Sequence, residues 1–161
     1  FPSLQNSYHP QTGTWYSFNH GPVHLISIDT SVIPPGRVFE QRRLEMLAWL
    51  EEDLAAVDRQ RTPWVIIGSH LPFYTSWTVW GTFQRAQFVS ALLEPLMRKY
   101  NVDLTLGAHV HQYERTCRVF NGTCQDPDQY GTIHTVVGTG GREGHPFEPV
   151  QTSGNFSWQV A

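Results

Sequence analysis

His109 and His111, in the run Gly107-Ala108-His109-Val110-His111, are the residues of this sequence best suited to chemistry. Imidazoles at i and i+2 of an extended chain point to the same side, with Cα atoms roughly 6–7 Å apart. Side chains of that reach place ring nitrogens about 2 Å from one metal ion, or from two adjacent ones. A His-x-His pair is also compatible with two solvent-facing or hydrogen-bonded rings, so its position carries the argument. It directly follows Val102 to Gly107, which reads as a strand, and ligands of open α/β sheets collect beyond the carboxyl ends of strands. His70 occupies the same kind of place, ending the β-branched run Trp64 to Ser69 just before the loop start Leu71-Pro72. Two adjacent strands ending in His70 and in His109-Val110-His111 bring three imidazoles to one rim, and these are the candidate metal ligands.

The other histidines give weaker signals. His24 and His134 lie inside strand-like segments and read as half-buried packing residues. His9, His20 and His145 lie in turns and read as solvent-facing, although His145 borders the glycine-rich stretch Gly138 to Gly144 and could approach a site. That stretch lacks the helix start and Lys of a phosphate-cradling loop. Cys117 and Cys124 flank Asn121-Gly122-Thr123, an N-glycosylation sequon, and a second sequon stands at Asn155-Phe156-Ser157. A close cysteine pair around such a turn suits a disulfide-closed hairpin in an oxidising compartment, which points to a secreted or lumenal protein. Short sequons also arise by chance, and two thiols need not pair.

The elements that must position the histidines follow from periodicity. Thr14 to Phe18 and Val23 to Asp29 read as two strands joined by the turn around Asn19 to Pro22, a plausible hairpin. Pro34-Pro35-Gly36 breaks the chain, and Leu44, Leu47, Leu50, Leu54 and Val57 then recur in steps of three and four, which predicts an amphipathic helix over Phe39 to Val57. Trp64 to Ser69 has the composition of a strand buried on both faces. After the aromatic loop Leu71 to Phe83, a second helix is predicted over Gln84 to Tyr100, with Val89, Leu93, Leu96 and Tyr100 on one side and Pro95 expected to kink or restart it. Gly131 to Gly138 is a later strand. Helices alternating with buried strands argue for an α/β layered fold.

The chain has 161 residues, 40% of them hydrophobic, and a net charge of −3 with His neutral. That is a globular composition with room for one domain and a real core. No apolar run reaches the length of a membrane span, and no basic block suggests a nucleic-acid partner. The sequence begins without Met and shows no closing element after Trp158, so it is expected to be a piece of a longer chain.

The run Tyr100-Asn101-Val102-Asp103 through Leu106-Gly107-Ala108-His109-Val110-His111-Gln112-Tyr113-Glu114-Arg115 resembles the region around the GHxH motif of purple acid phosphatases, members of the calcineurin-like metallophosphoesterase superfamily. Val65-Ile66-Ile67-Gly68-Ser69-His70 is similar to that family's VxxH strand, with Ile67 in place of Val. Trp15-Tyr16-Ser17, Gly21-Pro22-Val23-His24, Asp53-Leu54 and Gly131-Thr132-Ile133-His134 fall in matching order, so the resemblance spans nearly the whole chain. It implies a four-layer α/β/β/α sandwich of which residues 1–161 are the C-terminal half, the N-terminal half being a missing partner. It implies a binuclear centre of iron with zinc, manganese or iron, in which His70 and His109 ligate the divalent metal and His111 the ferric ion. The other ligands belong to DxG, GDxxY and GNH(D/E) motifs, none of which occurs here.

The implied reaction is hydrolysis of a phosphate monoester, by in-line attack of water activated between two cations. Two positions depart from the family pattern. Ala108 replaces a glycine of the motif, a small-for-small change, and the loop Leu71 to Phe83 contains no histidine where plant-like members place substrate-binding ones. No general acid is therefore assigned. A related metallophosphoesterase acting on diesters or nucleotides, and a non-catalytic relative serving as an interaction domain, are the alternatives. A metallo-β-lactamase-type site is set aside, because Gln112-Tyr113-Glu114-Arg115 stands where its Asp and further His would be. The isolated chain is expected to be inactive and to aggregate or to bind its other half.

Overall fold

The computed structural model describes residues 6–8, 13–33, 37–78 and 81–140. The chain begins with β1 (Asn6–Tyr8), β2 (Tyr16–His20) and β3 (Val23–Ile28), followed by a single 3-10 turn (Thr30–Val32) and helix α1 (Arg37–Ala55). Strand β4 (Trp64–Ser69), helix α2 (Thr82–Lys99) and β5 (Leu104–Gly107) come next. Strands β6 (Tyr113–Phe120), β7 (Thr123–Cys124) and β8 (Thr132–Val137) complete the described part. All eight strands join one sheet in the order β1-β2-β3-β4-β5-β8-β6-β7. The predicted hairpin is present, with Ser17 opposite Ile26 and Asn19 opposite His24. Its two-residue turn begins at Gly21, whose φ of 55° only glycine adopts without strain, and Pro22 fixes the negative φ that follows.

Strands β3, β4, β5 and β8 are parallel and are added in one direction across the sheet. Right-handed crossovers along an unreversed strand order put the connecting helices on one face. Met46, Leu50 and Leu54 of α1 and Val89, Leu93 and Met97 of α2 accordingly share one core with Ile26, Ile28, Val65 and Ile67. The described residues thus supply a sheet and one helical layer of an α/β fold. The opposite face carries Trp64, Leu106 and Val137, exposed at 55%, 40% and 51%.

Several local expectations are corrected by this arrangement. Strand β4 is not buried on both faces: Val65 and Ile67 are sealed under the helices while Trp64 is open. In α1 Met46, Leu50 and Leu54 are buried and Leu47, with Val57 just past the helix end, packs partly against the same core, whereas Leu44 points to solvent. Helix α2 runs unbroken through Pro95. Proline deletes one hydrogen-bond donor from the helix, and the burial of Leu93 and Met97 on either side holds the segment in place.

Candidate functional site

The carboxyl ends of β4 and β5 lie side by side, with Ile67 opposite Thr105 and Gly68 opposite Leu106. Pairing continues past the strands, since the Ala108 N–H donates to the His70 carbonyl at 3.1 Å. This backbone rung sets His70 beside His109. The His109 Nδ1 and His70 Nε2 atoms are 3.0 Å apart, and the two rings meet edge to face with centroids at 4.9 Å. Two imidazole nitrogens on one cation, each about 2.0–2.1 Å from it, would be separated by about 2.9 Å at a right angle and about 3.4 Å at a tetrahedral angle. The contact is a hydrogen bond between the two rings, one nitrogen donating to the other, and its length also falls within the span that two ligands of one cation require.

The His-x-His segment is not the extended pair expected from sequence. His109 has a φ of 63°, and the Val110 N–H donates to the Ala108 carbonyl at 2.7 Å, closing a tight three-residue turn. A non-glycine residue there is strained, and the surroundings must hold it. Gly138 is part of the reason: a Cβ at Gly138 would lie 1.8 Å from the Val110 carbonyl oxygen. The Gly138 N–H also donates to the Gln112 carbonyl at 3.2 Å. Val110 is buried with Trp77 and Val136, leaving the flanking His109 and His111 half-buried and His70 exposed. His70 and His109 are thus brought together, whereas His111 does not join them in a single donor set. Among the described residues no group of three or more His, Cys, Asp or Glu side chains could hold a metal ion.

The loop after His70 packs onto this turn. Gly107 accommodates it, since a Cβ there would meet Pro72 Cα at 2.8 Å. Farther along, the Glu114 carboxylate accepts from Thr75 Oγ1 at 3.0 Å, Ser76 N at 2.9 Å, Ser76 Oγ at 3.0 Å and Gln112 Nε2. Sequence reasoning noted Glu114 only as part of a motif; nothing local could show that it is fully buried and reaches back 38 residues to Ser76. A cavity of about 450 Å³ lies behind the same loop, lined by Phe73, Ser76, Phe83, Gln87, Glu94 and Asn121 among others, and by none of the three histidines. Glu94 accepts there from the Tyr74 hydroxyl at 2.6 Å and from the Asn121 N–H at 3.1 Å. Burial pushes the Glu94 carboxyl up from its ordinary value, and burial followed by the Glu94 contact raises Tyr74.

The remaining histidines sort differently from expectation. His24 is buried rather than half-buried, with Nδ1 2.6 Å from Asn19 Oδ1 and Nε2 2.9 Å from Asp53 Oδ2, and Ser17 Oγ donates to Asp53 at 2.6 Å. His134 is also fully enclosed, between the rings of Phe73 and Tyr74, with Nδ1 2.9 Å from Thr105 Oγ1. Desolvation lowers its pKa to about 3. His9 and His145 lie outside the described residues, as does Asn155. Asn121 and Gly122, with φ of 48° and 72°, form the exposed two-residue turn between β6 and β7, the backbone pattern for which Asn-Gly is favoured. Cys117 and Cys124 are joined in a disulfide across Cα atoms 5.8 Å apart.

A family model described as calcineurin-like phosphoesterase matches residues 3–113. The human protein Acid phosphatase type 7 is 37% identical over 151 residues, covering 81% of this chain and 34% of that protein. An Arabidopsis thaliana protein named Probable inactive purple acid phosphatase 9 is 35% identical, covering 84% of this chain and 20% of its own length. Among solved structures, a purple acid phosphatase isolated from yellow lupin (Lupinus luteus) seeds superposes with a TM-score of 0.66 at 29% identity, over 91% of this chain and 26% of that one. The chain therefore spans between 20% and 34% of the length of these two curated relatives. With its fold, its strand-end histidine pair and these similarities together, the chain belongs to the calcineurin-like phosphoesterase family and is purple acid phosphatase-like within it.

Proposed function

We propose that this chain supplies one side of a binuclear metal centre in an acid phosphatase-like enzyme that hydrolyses phosphate monoesters. The observation that carries the reading is the pair of imidazole nitrogens of His70 and His109, 3.0 Å apart at the ends of adjacent parallel strands. In this reading His70 and His109 hold the divalent metal, zinc, manganese or iron, and His111 holds the ferric ion. Residues 1–161 are then the C-terminal half of a catalytic domain, and the remaining ligands come from elsewhere in a longer protein.

The centre, when loaded, supplies Lewis-acid charge to activate water and to neutralise the transferring phosphoryl group. The residues of this chain orient it. The Ala108–His70 rung fixes the spacing of the two strand ends, and the turn at His109 aims the imidazoles. No general acid is assigned, because the described part of the loop after His70 offers none of the histidines expected there. The open sheet face bearing Trp64 and Leu106 suits a further layer of the same protein as its partner. The disulfide and the exposed Asn121 turn favour a secreted or lumenal, N-glycosylated protein, with Asn155 as a second acceptor.

The test is elemental analysis and phosphatase assay of the full-length protein carrying this chain. About two metals per chain, one of them iron, with monoesterase activity, is the expected result. His111→Ala should lose iron and activity together, and normal turnover in that variant would refute the ligand assignment. A non-catalytic relative is the second reading, favoured by the loop without histidine and by similarity to a protein named as inactive. Absence of bound metal from the intact protein would establish it. Preference for diesters or nucleotides in a metal-loaded protein would instead place the chain with other members of the family.

A further inference from the structure

We infer that Glu114 is a positioning residue, which clamps the loop after His70 onto the His109–His111 turn and so fixes the distance between the two ligand-bearing segments. The inference rests on the metal-centre reading above and specifies how this chain holds that site. Glu114 is 0% exposed and has no cation against it in any ion pair among the described residues. A buried carboxyl group is tolerated only when its oxygens are hydrogen-bonded. Here the partners come from two segments. Thr75 Oγ1, Ser76 N and Ser76 Oγ belong to the loop, and Gln112 Nε2 belongs to the residue directly after His111.

Two apolar contacts act alongside the carboxylate. Pro72 sits where a side chain on Gly107 would be, two residues before His109. Trp77, whose N–H donates to Thr75 Oγ1 at 3.1 Å, packs with Val110, the residue between the two histidines. The loop therefore grips the ligand turn at its start, middle and end. The Glu114 carboxylate spans both segments, and Gln112 Nε2, which also donates to Ser76 Oγ at 3.4 Å, belongs to the same bridge. Outer groups of this kind hold metal-bearing side chains in orientation without touching the metal.

The experiment uses the full-length protein, with Zn²⁺ affinity measured by chelator competition, backed by amide hydrogen exchange at Ser76 in the metal-free form. Glu114→Ala should raise the Zn²⁺ dissociation constant by about 10- to 100-fold and speed exchange at Ser76. Leu54→Ala, in the core under α1, lowers the melting temperature without touching the loop and should leave Zn²⁺ affinity at the wild-type value. Glu114→Gln keeps one acceptor oxygen but sets an NH2 against either the Ser76 N–H or the Gln112 Nε2 donor, so its affinity should fall between wild type and Glu114→Ala. If Glu114→Ala fails to fold, the double variant Thr75→Val, Ser76→Ala removes the hydroxyls from the loop side and should weaken Zn²⁺ binding in its place. Wild-type affinity in Glu114→Ala, or equal losses in Glu114→Ala and Leu54→Ala at matched melting temperatures, would overturn the clamp alone. A wild-type protein that binds no metal would overturn the metal-centre reading, and the clamp's role with it.

Discussion

His134 and His109 are the same residue type in neighbouring parts of the sheet, the one fully enclosed and the other half-buried beside the ligand turn. His134 is enclosed by Phe73, Tyr74 and Thr105, and desolvation lowers its pKa from 6.5 to about 3. The folded state therefore disfavours its protonation. The resulting penalty is absent above the unfolded value of 6.5, grows as pH falls below it, and is complete below about 3. Stability of the protein should decline with acidification across this window, with a contribution from His134 of at most about 1.4 kcal/mol per pH unit. Denaturant melts of wild type and His134→Gln at several pH values measure it, and the variant should show the shallower decline. Glycine is equally decisive at one position. Gly138→Ala would drive a Cβ into the Val110 carbonyl, shift the ligand turn and cost about 2 kcal/mol of stability together with metal affinity. Gly140→Ala, where a Cβ meets nothing within 4 Å, should change neither in parallel melting and metal-binding measurements.

At the scale of elements, two fastenings hold the framework behind the site. Asp53, near the end of α1, accepts from Ser17 of β2 and faces His24 of β3, so one carboxylate ties a helix to the hairpin. Its removal leaves buried partners unsatisfied, and Asp53→Ala should lower stability by about 3 kcal/mol in denaturant titration. The β6–β7 hairpin is closed by the Cys117–Cys124 disulfide, and its turn is held to α2 by Glu94 and to the loop after β4 by the Tyr74 hydroxyl, which accepts from the Gly122 N–H at 3.1 Å. Replacing both cysteines by Ala should cost about 2 kcal/mol, as expected for a short closed loop, and should leave metal affinity unchanged because no ligand lies in that hairpin. A loss of bound metal in that variant would show that the disulfide is needed to hold the Glu114 end of β6 in place.

For the whole molecule, the strand order leaves one face of the sheet without helices among the described residues, and Trp64, Leu106 and Val137 are exposed on it. A continuous apolar face in water favours association. Residues 1–161 expressed alone should self-associate in analytical ultracentrifugation, and Trp64→Lys with Val137→Lys should shift the population toward monomer. A monodisperse monomer from the unaltered chain would refute the expectation that this face is normally covered.

The sequence by itself determined the two helices, the β2–β3 hairpin, the central strands β4, β5 and β8, and the places of the histidines. By contrast, β1 lies in an opening segment that reads as loop, and β6 is marked only through the cysteine pair around its turn. Strand β4 was legible to the residue from its β-branched run, both helices were legible from their apolar spacing, and His70 and His109 stand beyond strand ends where the sequence put them. These features are local, set by side-chain period and by turn residues within a few positions. Tertiary structure decided the rest. The turn at His109 exists because Gly138, just beyond the end of β8, admits the Val110 backbone. The Glu114 clamp joins residues 38 apart, and the Asp53 contacts join residues 29 and 36 apart. A carboxylate's partners and a strained turn depend on which distant segments the sheet brings together, and no spacing along the chain encodes that directly.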